Sequence, residues 1–309
     1  MRVAAMGAGG VGGYFGARLQ QAGHDVVFFA RGKHLAALKQ NGLTLRSPHG
    51  AAQLKVQVFQ DPGETAPVDV VLFAVKLWDT EAAAAQLKPI VGKHTAVIPF
   101  QNGVESIGLL KKIFPEDNVL GGSAYIATRV AAPGVIEHIG TMAGLEFGPL
   151  MPSQRPAAEA FHAACQGAGI NAKLADDIQR VIWQKFIFLV AVSGSTASAR
   201  VPLGVVRTDP DLRWLFEQAM RETYRLARAR GVNVPEDYVD GRLAFLDTLP
   251  AEMRASMAHD LEAGNKLEAP WLCGAVAKMS AEAGLDAPVN RAIYAALKPF
   301  VNGSAGKAA

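Results

Sequence analysis

The feature that most constrains this chain is a glycine-rich loop close to its start. A short apolar strand, residues 3–6, runs directly into Gly7-Ala8-Gly9-Gly10-Val11-Gly12. In a strand–loop–helix unit, the first glycine of a G-x-G-x-x-G pattern permits a tight turn, the second lets the backbone approach a pyrophosphate, and the third lets the helix pack closely on the sheet. A helix over residues 11–22 and a second strand over 25–30 complete the unit. The pattern predicts a Rossmann-type dinucleotide site, with cofactor contacts from Gly7, Gly9, Gly10 and Gly12.

The end of the second strand predicts which dinucleotide binds. NAD sites usually place Asp or Glu there, about 20 residues after the loop, whereas NADP sites place a cation for the 2′-phosphate. This chain has Ala30-Arg31-Gly32-Lys33 and no acid, and Asp25 lies at the wrong end of the strand to reach the ribose. The sequence therefore predicts NADP(H), with Arg31 in the cofactor site. Arg31 and Lys33 could also be solvated loop charges.

Composition is typical of a water-soluble enzyme and excludes few other classes. The chain has 309 residues, 50% of them hydrophobic, which is enough for two domains with sizeable cores. Its net charge of +3 is small and dispersed, so we expect no nucleic-acid partner. Cys165 and Cys273 lack metal-type spacing and are expected to be reduced thiols in a cytoplasmic protein. The first apolar run is too short for a signal peptide, and the longest later one, residues 186–192, is too short to span a membrane.

The periodicity of apolar residues changes near residue 175. Before that point, strand-like runs alternate with helical ones, which is typical of βαβ units. Ala132-Pro133-Gly134 predicts a hairpin turn, and short strands are predicted over residues 134–140, 144–147 and 171–174. After residue 175, every periodic segment is helical, beginning with a predicted helix over residues 178–193. The predicted fold class is α/β, with an N-terminal Rossmann-type dinucleotide-binding domain (residues 1–176) followed by an all-α C-terminal domain (residues 177–309). The pattern leaves open whether the C-terminal helices pack only on their own core or form a homodimer.

Two polar residues follow neighbouring strands of the predicted sheet. Lys76 follows the strand over residues 68–75, and Asn102 follows the strand that ends at Gln101. Both should emerge at the carboxyl edge of the sheet, where ligands bind in such folds. Lys76 could also be an ordinary loop residue, and Asn102 a turn former before Gly103.

Lys185 interrupts a helix that is apolar on most faces. A lysine in such a helix needs a partner or a cleft, and burial makes its ammonium readier to release a proton. That property suits a general acid that donates to a carbonyl oxygen as hydride reaches the carbon. Alternatively, the side chain could extend to solvent at the edge of the helix.

Taken in order along the chain, these motifs resemble the ketopantoate reductase family. The resemblance spans nearly the whole chain and rests on the glycine loop, Lys76, Gln101-Asn102-Gly103, Trp183-Gln184-Lys185, Ser256-Met257 with Asp260, and Glu268. It implies an NADPH-dependent oxidoreductase that reduces a small 2-oxo acid, 2-dehydropantoate, to pantoate in pantothenate biosynthesis. The residue types present meet the needs of that reaction without a metal.

The resemblance also implies a role for each matching residue. Lys185 and Glu268 are the catalytic pair: the lysine is the proton donor to the keto oxygen, and the carboxylate binds the substrate hydroxyl and helps to orient the lysine. Ser256 would hold the substrate carboxylate, and Asn102 would contact both cofactor and substrate. Lys76 and Arg31 are basic residues near the cofactor, Arg31 at the 2′-phosphate. Without the family, Ser256 would be interpreted as a helix cap and Glu268 as a solvated charge.

The chain departs from the family pattern one and two turns after the catalytic lysine. The family has asparagines there, the first of which contacts the substrate, whereas this chain has Leu189 and Ser193. An apolar side chain at Leu189, a predicted substrate-binding position, favours a different or more apolar substrate. Two alternatives therefore stay open: a paralogous NADP-dependent oxidoreductase acting on another 2-oxo or 3-hydroxy acid, and a non-catalytic NADP-binding regulatory protein.

Overall fold

The computed structural model describes residues 1–303, and the chain folds into two compact units, Met1–Val181 and Ile182–Ala309. The last six residues of the predicted helical domain, 304–309, lie outside the described residues. The predicted boundary after residue 176 falls a few residues before this division. The reason is that Ile178 packs on the first unit: a Cβ built on Gly121 would lie 2.7 Å from its Cγ1 atom.

Among the described residues, the ten strands all lie in the first unit, and helices occur in both units. The strands are β1 (Arg2–Met6), β2 (Asp25–Phe29), β3 (Leu43–Arg46), β4 (Ala52–Leu54), β5 (Gln57–Phe59), β6 (Val68–Phe73), β7 (Val91–Pro99), β8 (Gly121–Ala132), β9 (Val135–Gly148) and β10 (Asn171–Leu174). The helices are α1 (Gly10–Gln21), α2 (Gly32–Asn41), α3 (Thr80–Gln86), α4 (Ser106–Lys111), α5 (Arg155–Gly167), α6 (Ile178–Ala199), α7 (Leu203–Thr208), α8 (Pro210–Ala229), α9 (Tyr238–Leu246), α10 (Ser256–Glu262), α11 (Cys273–Glu282) and α12 (Pro288–Leu297).

The first unit is built on a parallel sheet of order β5-β2-β1-β6-β7. Successive residues of its central strands point to opposite faces, and both faces are buried. In β1, Val3 and Ala5 belong to one hydrophobic cluster, and Ala4 and Met6 belong to the other. Such burial on both sides explains why these strands are continuously apolar in the sequence. The Rossmann-type fold class predicted for this unit is confirmed.

A second sheet of the first unit, of order β10-β9-β3-β4 with β8 paired to β9, was not predicted as a sheet. The hairpin turn at Ala132-Pro133-Gly134 is confirmed, since β8 ends at Ala132 and β9 begins at Val135. The two strands predicted over 134–140 and 144–147 form one strand, β9. No element was predicted between Lys33 and residue 68, where α2 and β3 to β5 lie. In α2 only Leu38 is buried, so apolar periodicity is weak there.

The second unit is all-helical, as predicted, and α6 supplies much of its core. The helix continues to Ala199, beyond the predicted end at residue 193. Within residues 1–303 it is the one helix long and apolar enough to suit a membrane span, with a mean hydropathy of 1.3. However, 67% of that apolar window is buried inside the protein, which is the pattern of a core helix.

A buried carboxylate on α8 connects this helix to α12 in the same unit. Glu222 of α8 is 3% exposed. Its carboxylate accepts hydrogen bonds from the backbone N–H of Val289 at 2.9 Å, and from the backbone N–H and Nδ2 of Asn290 at 2.9 and 2.7 Å. The carboxylate thus satisfies donors in the first turn of α12 that have no partner within the helix.

Candidate active site

Two glycines of the loop after β1 are required by the fold itself. Gly7 has a φ of +93°, and a Cβ there would lie 3.0 Å from the backbone of Ala74 and Val75 at the end of β6. A Cβ on Gly12 would lie 2.3 Å from the carbonyl oxygen of Gly7. These contacts match the two steric roles expected of the first and third glycines, the tight turn and the close approach of helix to strand.

The other two glycines of the loop, Gly9 and Gly10, differ in how closely protein atoms surround them. A Cβ on Gly10 would lie 2.5 Å from Oγ1 of Thr128, so packing of α1 on β8 excludes a side chain there. A Cβ on Gly9 would meet no protein atom within 4 Å. The protein's own packing therefore does not require glycine at position 9. A glycine there fits a loop whose backbone is approached by a pyrophosphate, at the start of the twelve-residue helix α1.

Arg31 lies two residues after the end of β2, which stops at Phe29 rather than at the predicted residue 30, and directly precedes α2. Its side chain is 75% exposed, and its Nη2 donates a hydrogen bond of 2.6 Å to Oδ2 of Asp79. Asp79 lies in the short turn after β6, so the ion pair connects two loops at the carboxyl edge of the sheet. The guanidinium is thus paired with a carboxylate at this edge, while most of its side chain stays exposed to solvent.

Lys76 and Asn102 lie at the same edge of the sheet. They follow β6 and β7, which are neighbours in the order β1-β6-β7. The chain leaves β1 toward β2 on one side of the sheet, and β6 lies on its other side, so β1 and β6 flank the switch point where ligands bind in this class of fold. Lys76 is exposed, with its Nζ 5.6 Å from the centre of the Trp78 ring, and Asn102 is half-buried.

Gln101, the residue before Asn102, connects the loop after β7 to the loop after β6. The sequence alone did not predict this connection. Its Nε2 donates to the carbonyl oxygen of Val75 at 2.8 Å and to Oγ1 of Thr80 at 2.9 Å. Gln101 belongs to the Gln101-Asn102-Gly103 motif, but Val75 and Thr80 lie more than 20 positions away in the sequence, so no local pattern indicates these hydrogen bonds.

The acid–base candidates lie in the second unit. Burial lowers the pKa of Lys185 from 10.5 to about 8, and the negative charge of Glu268 acts in the opposite direction. Glu268 is 7% exposed and precedes the turn Ala269–Trp271. Lys185 is half-buried, so its ammonium is partly desolvated, and it lies within electrostatic reach of the buried carboxylate of Glu268. Glu268 is likewise not the solvated charge that its sequence context suggested.

The remaining candidates, Ser256 and Leu189, differ in burial, as does Ser193, the second position at which the chain departs from the family pattern. Ser256 is exposed and is the first residue of α10, whose N-cap is Ala255, so the interpretation of Ser256 as a helix cap is wrong. Leu189 is half-buried, one turn after Lys185 on α6. Ser193, one turn further, is 1% exposed, and its hydroxyl has no hydrogen-bond partner within the described residues. In residues 1–303, no group of three His, Cys, Asp or Glu side chains could hold a metal ion.

Comparison with protein-family models gives two matches that together cover most of the chain. The model described as "Ketopantoate reductase PanE/ApbA" matches residues 3–152. The model described as "Ketopantoate reductase PanE/ApbA C terminal" matches residues 177–301. Both halves of the chain are therefore similar to the same family.

Individual relatives extend over nearly the full chain. The 2-dehydropantoate 2-reductase of Archaeoglobus fulgidus is 33% identical over 295 residues, 94% of this chain and 95% of the relative. An uncharacterized oxidoreductase of Bacillus subtilis, YkpB, is 29% identical over 300 residues, 97% and 99% of the two chains. The crystal structure of a PanE/ApbA family ketopantoate reductase from Ralstonia eutropha is 32% identical, with a TM-score of 0.89 over 97% of this chain and 98% of the other.

Proposed function

Since the chain belongs to the ketopantoate reductase family of oxidoreductases, we propose that it reduces the ketone of 2-dehydropantoate to an alcohol with NADPH. The observation that carries the proposal is Lys185, a partly desolvated lysine whose pKa of about 8 is shifted toward physiological pH. A partly desolvated ammonium is costly for a fold, so a lysine in an otherwise apolar helix is a candidate functional residue. Proton donation to a ketone is a function that suits this residue.

The residues of the first unit fit a nicotinamide dinucleotide, and Arg31 favours NADP(H). The loop at Gly9 leaves space that a Cβ would fill, and the carboxyl edge of the sheet carries the cations Arg31 and Lys76. A guanidinium binds phosphate through charge-assisted hydrogen bonds. Asp79 already accepts one such bond from Arg31, which holds the guanidinium at this edge. When bound, NADPH supplies the hydride for the carbonyl carbon of the substrate.

Lys185 supplies the proton. As negative charge develops on the keto oxygen, the Nζ ammonium donates its proton to that oxygen and becomes a neutral amine. With a pKa of about 8, the group is roughly nine-tenths protonated at pH 7, yet it gives up its proton more readily than an ordinary lysine. Glu268 holds the ammonium in its charged form, and solvent returns the proton after the reaction.

The residues that would select the substrate are Ser256, Asn102 and Leu189. By family resemblance, Ser256 holds the carboxylate of the 2-oxo acid, and Asn102 contacts both cofactor and substrate. Leu189 favours a second candidate, a 2-oxo acid with an apolar group in place of the hydroxyl of 2-dehydropantoate, because a hydroxyl opposite Leu189 would lose a hydrogen-bond partner. Lys185 would perform the same proton transfer on either ketone.

A panel of branched 2-oxo acids, assayed with NADPH and with NADH, tests substrate and coenzyme together. We expect the highest kcat/KM for 2-dehydropantoate with NADPH. Turnover of aliphatic 2-oxo acids without turnover of 2-dehydropantoate would overturn the substrate assignment and favour the paralogous enzyme. No turnover of any acid, with NADPH still bound, would favour the non-catalytic regulatory protein.

The coenzyme arm of this experiment uses two matched variants. Arg31→Ala removes the proposed phosphate ligand, and Lys33→Ala removes an exposed cation two residues away. Charge-assisted bonds of this kind contribute about 1.5–3 kcal/mol, so KM for NADPH should rise roughly 10- to 100-fold in Arg31→Ala, with KM for NADH little changed. Equal effects of the two variants would mean that Arg31 acts only as a general surface charge.

The pKa of Lys185 predicts how the rate depends on pH. Reduction requires the protonated lysine, so kcat should be level below about pH 8 and fall about tenfold per pH unit above it. Oxidation of the alcohol product requires the neutral lysine as a base, so its rate should rise with pH over the same interval. Measuring kcat in both directions at saturating substrate checks that the two rates depend on pH in opposite ways. Parallel profiles in the two directions would contradict the assignment.

The proposal includes a cytoplasmic location. Both cysteines of the described residues, Cys165 and Cys273, are free and buried, and burial raises the pKa of each thiol to about 12. Thiols of this kind are unreactive and suit a reducing compartment.

A further inference from the structure

His34 of α2 bridges the glycine-rich loop and the turn of the β8–β9 hairpin. Its Nε2 lies 2.8 Å from the carbonyl oxygen of Ala8, the residue between Gly7 and Gly9. Its Nδ1 accepts a hydrogen bond of 3.0 Å from the backbone N–H of Gly134. Neither partner is local in sequence, and the imidazole is half-buried.

The Gly134 bond determines which ring nitrogen of His34 carries the proton. A backbone N–H can only donate, so Nδ1 must be unprotonated, and Nε2 of the neutral ring must then carry the hydrogen. That hydrogen points at a carbonyl oxygen, which can only accept. Both contacts are therefore satisfied by one neutral tautomer.

The bond to Ala8 fixes the orientation of one peptide group in the loop. The carbonyl of Ala8 and the N–H of Gly9 belong to the same planar trans peptide, in which they point in opposite directions. When His34 holds the carbonyl, the Gly9 N–H is directed to the other side. The preceding peptide is also held, because the N–H of Ala8 donates to the carbonyl of Phe29 at 2.9 Å.

The hairpin that supplies Gly134 is itself fixed. Gly134 is buried, has a φ of +78°, and its carbonyl accepts a 2.9 Å hydrogen bond from the N–H of Thr44. The same hairpin contacts the loop a second time, since Thr128 of β8 packs against Gly10. His34 is thus the link between a rigid element and a loop peptide.

We propose that His34 is a positioning residue that orients the Ala8–Gly9 peptide so that the Gly9 N–H faces the cofactor pyrophosphate. This inference rests on the proposed function, because it presumes that the loop binds a dinucleotide. His34 itself touches no reacting atom, so it should affect the affinity for cofactor and not the chemical step.

Three substitutions separate the two bonds of the imidazole. His34→Gln places an amide N–H near the position of Nε2 and so keeps a donor for Ala8, whereas His34→Asn places its amide near Nδ1 and keeps only an acceptor for Gly134. His34→Ala removes both bonds. His162→Ala is the matched control, because His162 Nε2 contacts the backbone carbonyl of Ala172 at 3.1 Å elsewhere in the same unit.

The experiment measures the Kd for NADPH on the full chain by fluorescence titration, with Tm and kcat for each variant. We expect Kd to rise about 3- to 10-fold in His34→Ala and His34→Asn, and to stay near the wild-type value in His34→Gln and His162→Ala. At saturating NADPH, kcat should be unchanged. Nitrogen NMR of the wild-type imidazole should show Nε2 protonated and Nδ1 unprotonated.

Three outcomes would overturn the inference. One is that the Kd for NADPH rises in proportion to the loss of Tm in all variants, His162→Ala included. A purely structural role of His34 predicts that result. Another is a wild-type His34 ring that is protonated on Nδ1. In both cases NADPH still binds the wild type, so the proposed function survives. If the wild type binds neither NADPH nor NADH, both the proposed function and this inference fail.

Discussion

Replacing Lys185 with methionine is expected to lower kcat for ketone reduction by roughly 10²- to 10⁴-fold while NADPH still binds. Methionine has a similar length and no proton to donate, so the developing charge on the keto oxygen would have to be neutralised by water. The measurement is steady-state kinetics with 2-dehydropantoate, together with a Kd for NADPH. An effect confined to KM would mean that Lys185 binds substrate without donating a proton.

The same substitution should not cost the fold its stability. The pKa of Lys185 in the folded protein, about 8, lies below the ordinary value of 10.5, so an unfolded chain holds this proton more tightly. Bringing the charged lysine into the fold therefore costs roughly 3 kcal/mol at pH 7. Methionine removes that cost but leaves the buried Glu268 without its counter-charge, which works in the other direction. We expect a Tm close to that of the wild type.

Lys278→Met is the matched control for this experiment. Lys278 is an exposed lysine on α11 of the same unit, so the substitution makes the same change of side chain at a site with no proposed role. Its kcat should equal that of the wild type. If Lys185→Met retained wild-type kcat as well, the proposed chemistry would be wrong, and the regulatory alternative would gain support.

Gly9→Ala is expected to raise the Kd for NADPH roughly 10- to 100-fold without disturbing the fold. The added Cβ would meet no protein atom within 4 Å, and Gly9 has a φ of −79°, outside the left-handed region that disfavours alanine. The methyl group would instead occupy space that we assign to the pyrophosphate. Hydrogen bonds to a charged group contribute about 1.5–3 kcal/mol, which sets the size of the effect.

Gly108→Ala is the control, because Gly108 lies in α4 of the same unit and a Cβ there also meets no protein atom within 4 Å. Titration with NADPH should distinguish the two variants, whereas both should stay folded, with a Tm slightly lower for Gly9→Ala at the N-cap of α1 and slightly higher for Gly108→Ala inside α4. Gly12 would be a poorer test, since a Cβ there would lie 2.3 Å from the Gly7 carbonyl oxygen and disturb the loop itself. Wild-type affinity in Gly9→Ala would show that the pyrophosphate does not approach this glycine.

Much of the fold could be predicted from the sequence because its elements have local periodicity. The strands of the parallel sheet are continuously apolar, and the strand β10 was predicted with the bounds that the structure shows, Asn171–Leu174. The second sheet could not be recognised, because it is formed by pairing between distant segments. For example, Leu45 of β3 pairs with Ile136 of β9, about 90 positions away, and neither segment alone indicates its partner.

The candidate site, like the fold, has some residues that local sequence patterns indicate and others that only the folded structure reveals. Lys76, Asn102 and Lys185 were found because each follows a strand or interrupts an apolar helix, both of which are local signals. Asp79 and His34 were missed, although His34 follows Lys33 directly, because their partners are brought close only by folding. Their roles depend on hydrogen bonds to Arg31, Ala8 and Gly134.

The sequence by itself therefore determined the glycine loop, the change from alternating to helical periodicity, and the residue types available for hydride and proton transfer. These properties follow from side-chain size, charge and spacing, which are local. Only the tertiary structure decided that Gly9, unlike Gly12, is not required by the packing of the protein itself, that His34 holds the loop, and that Lys185 has a pKa of about 8. Packing, desolvation and hydrogen-bond geometry depend on which distant segments meet, and that is a property of the folded chain.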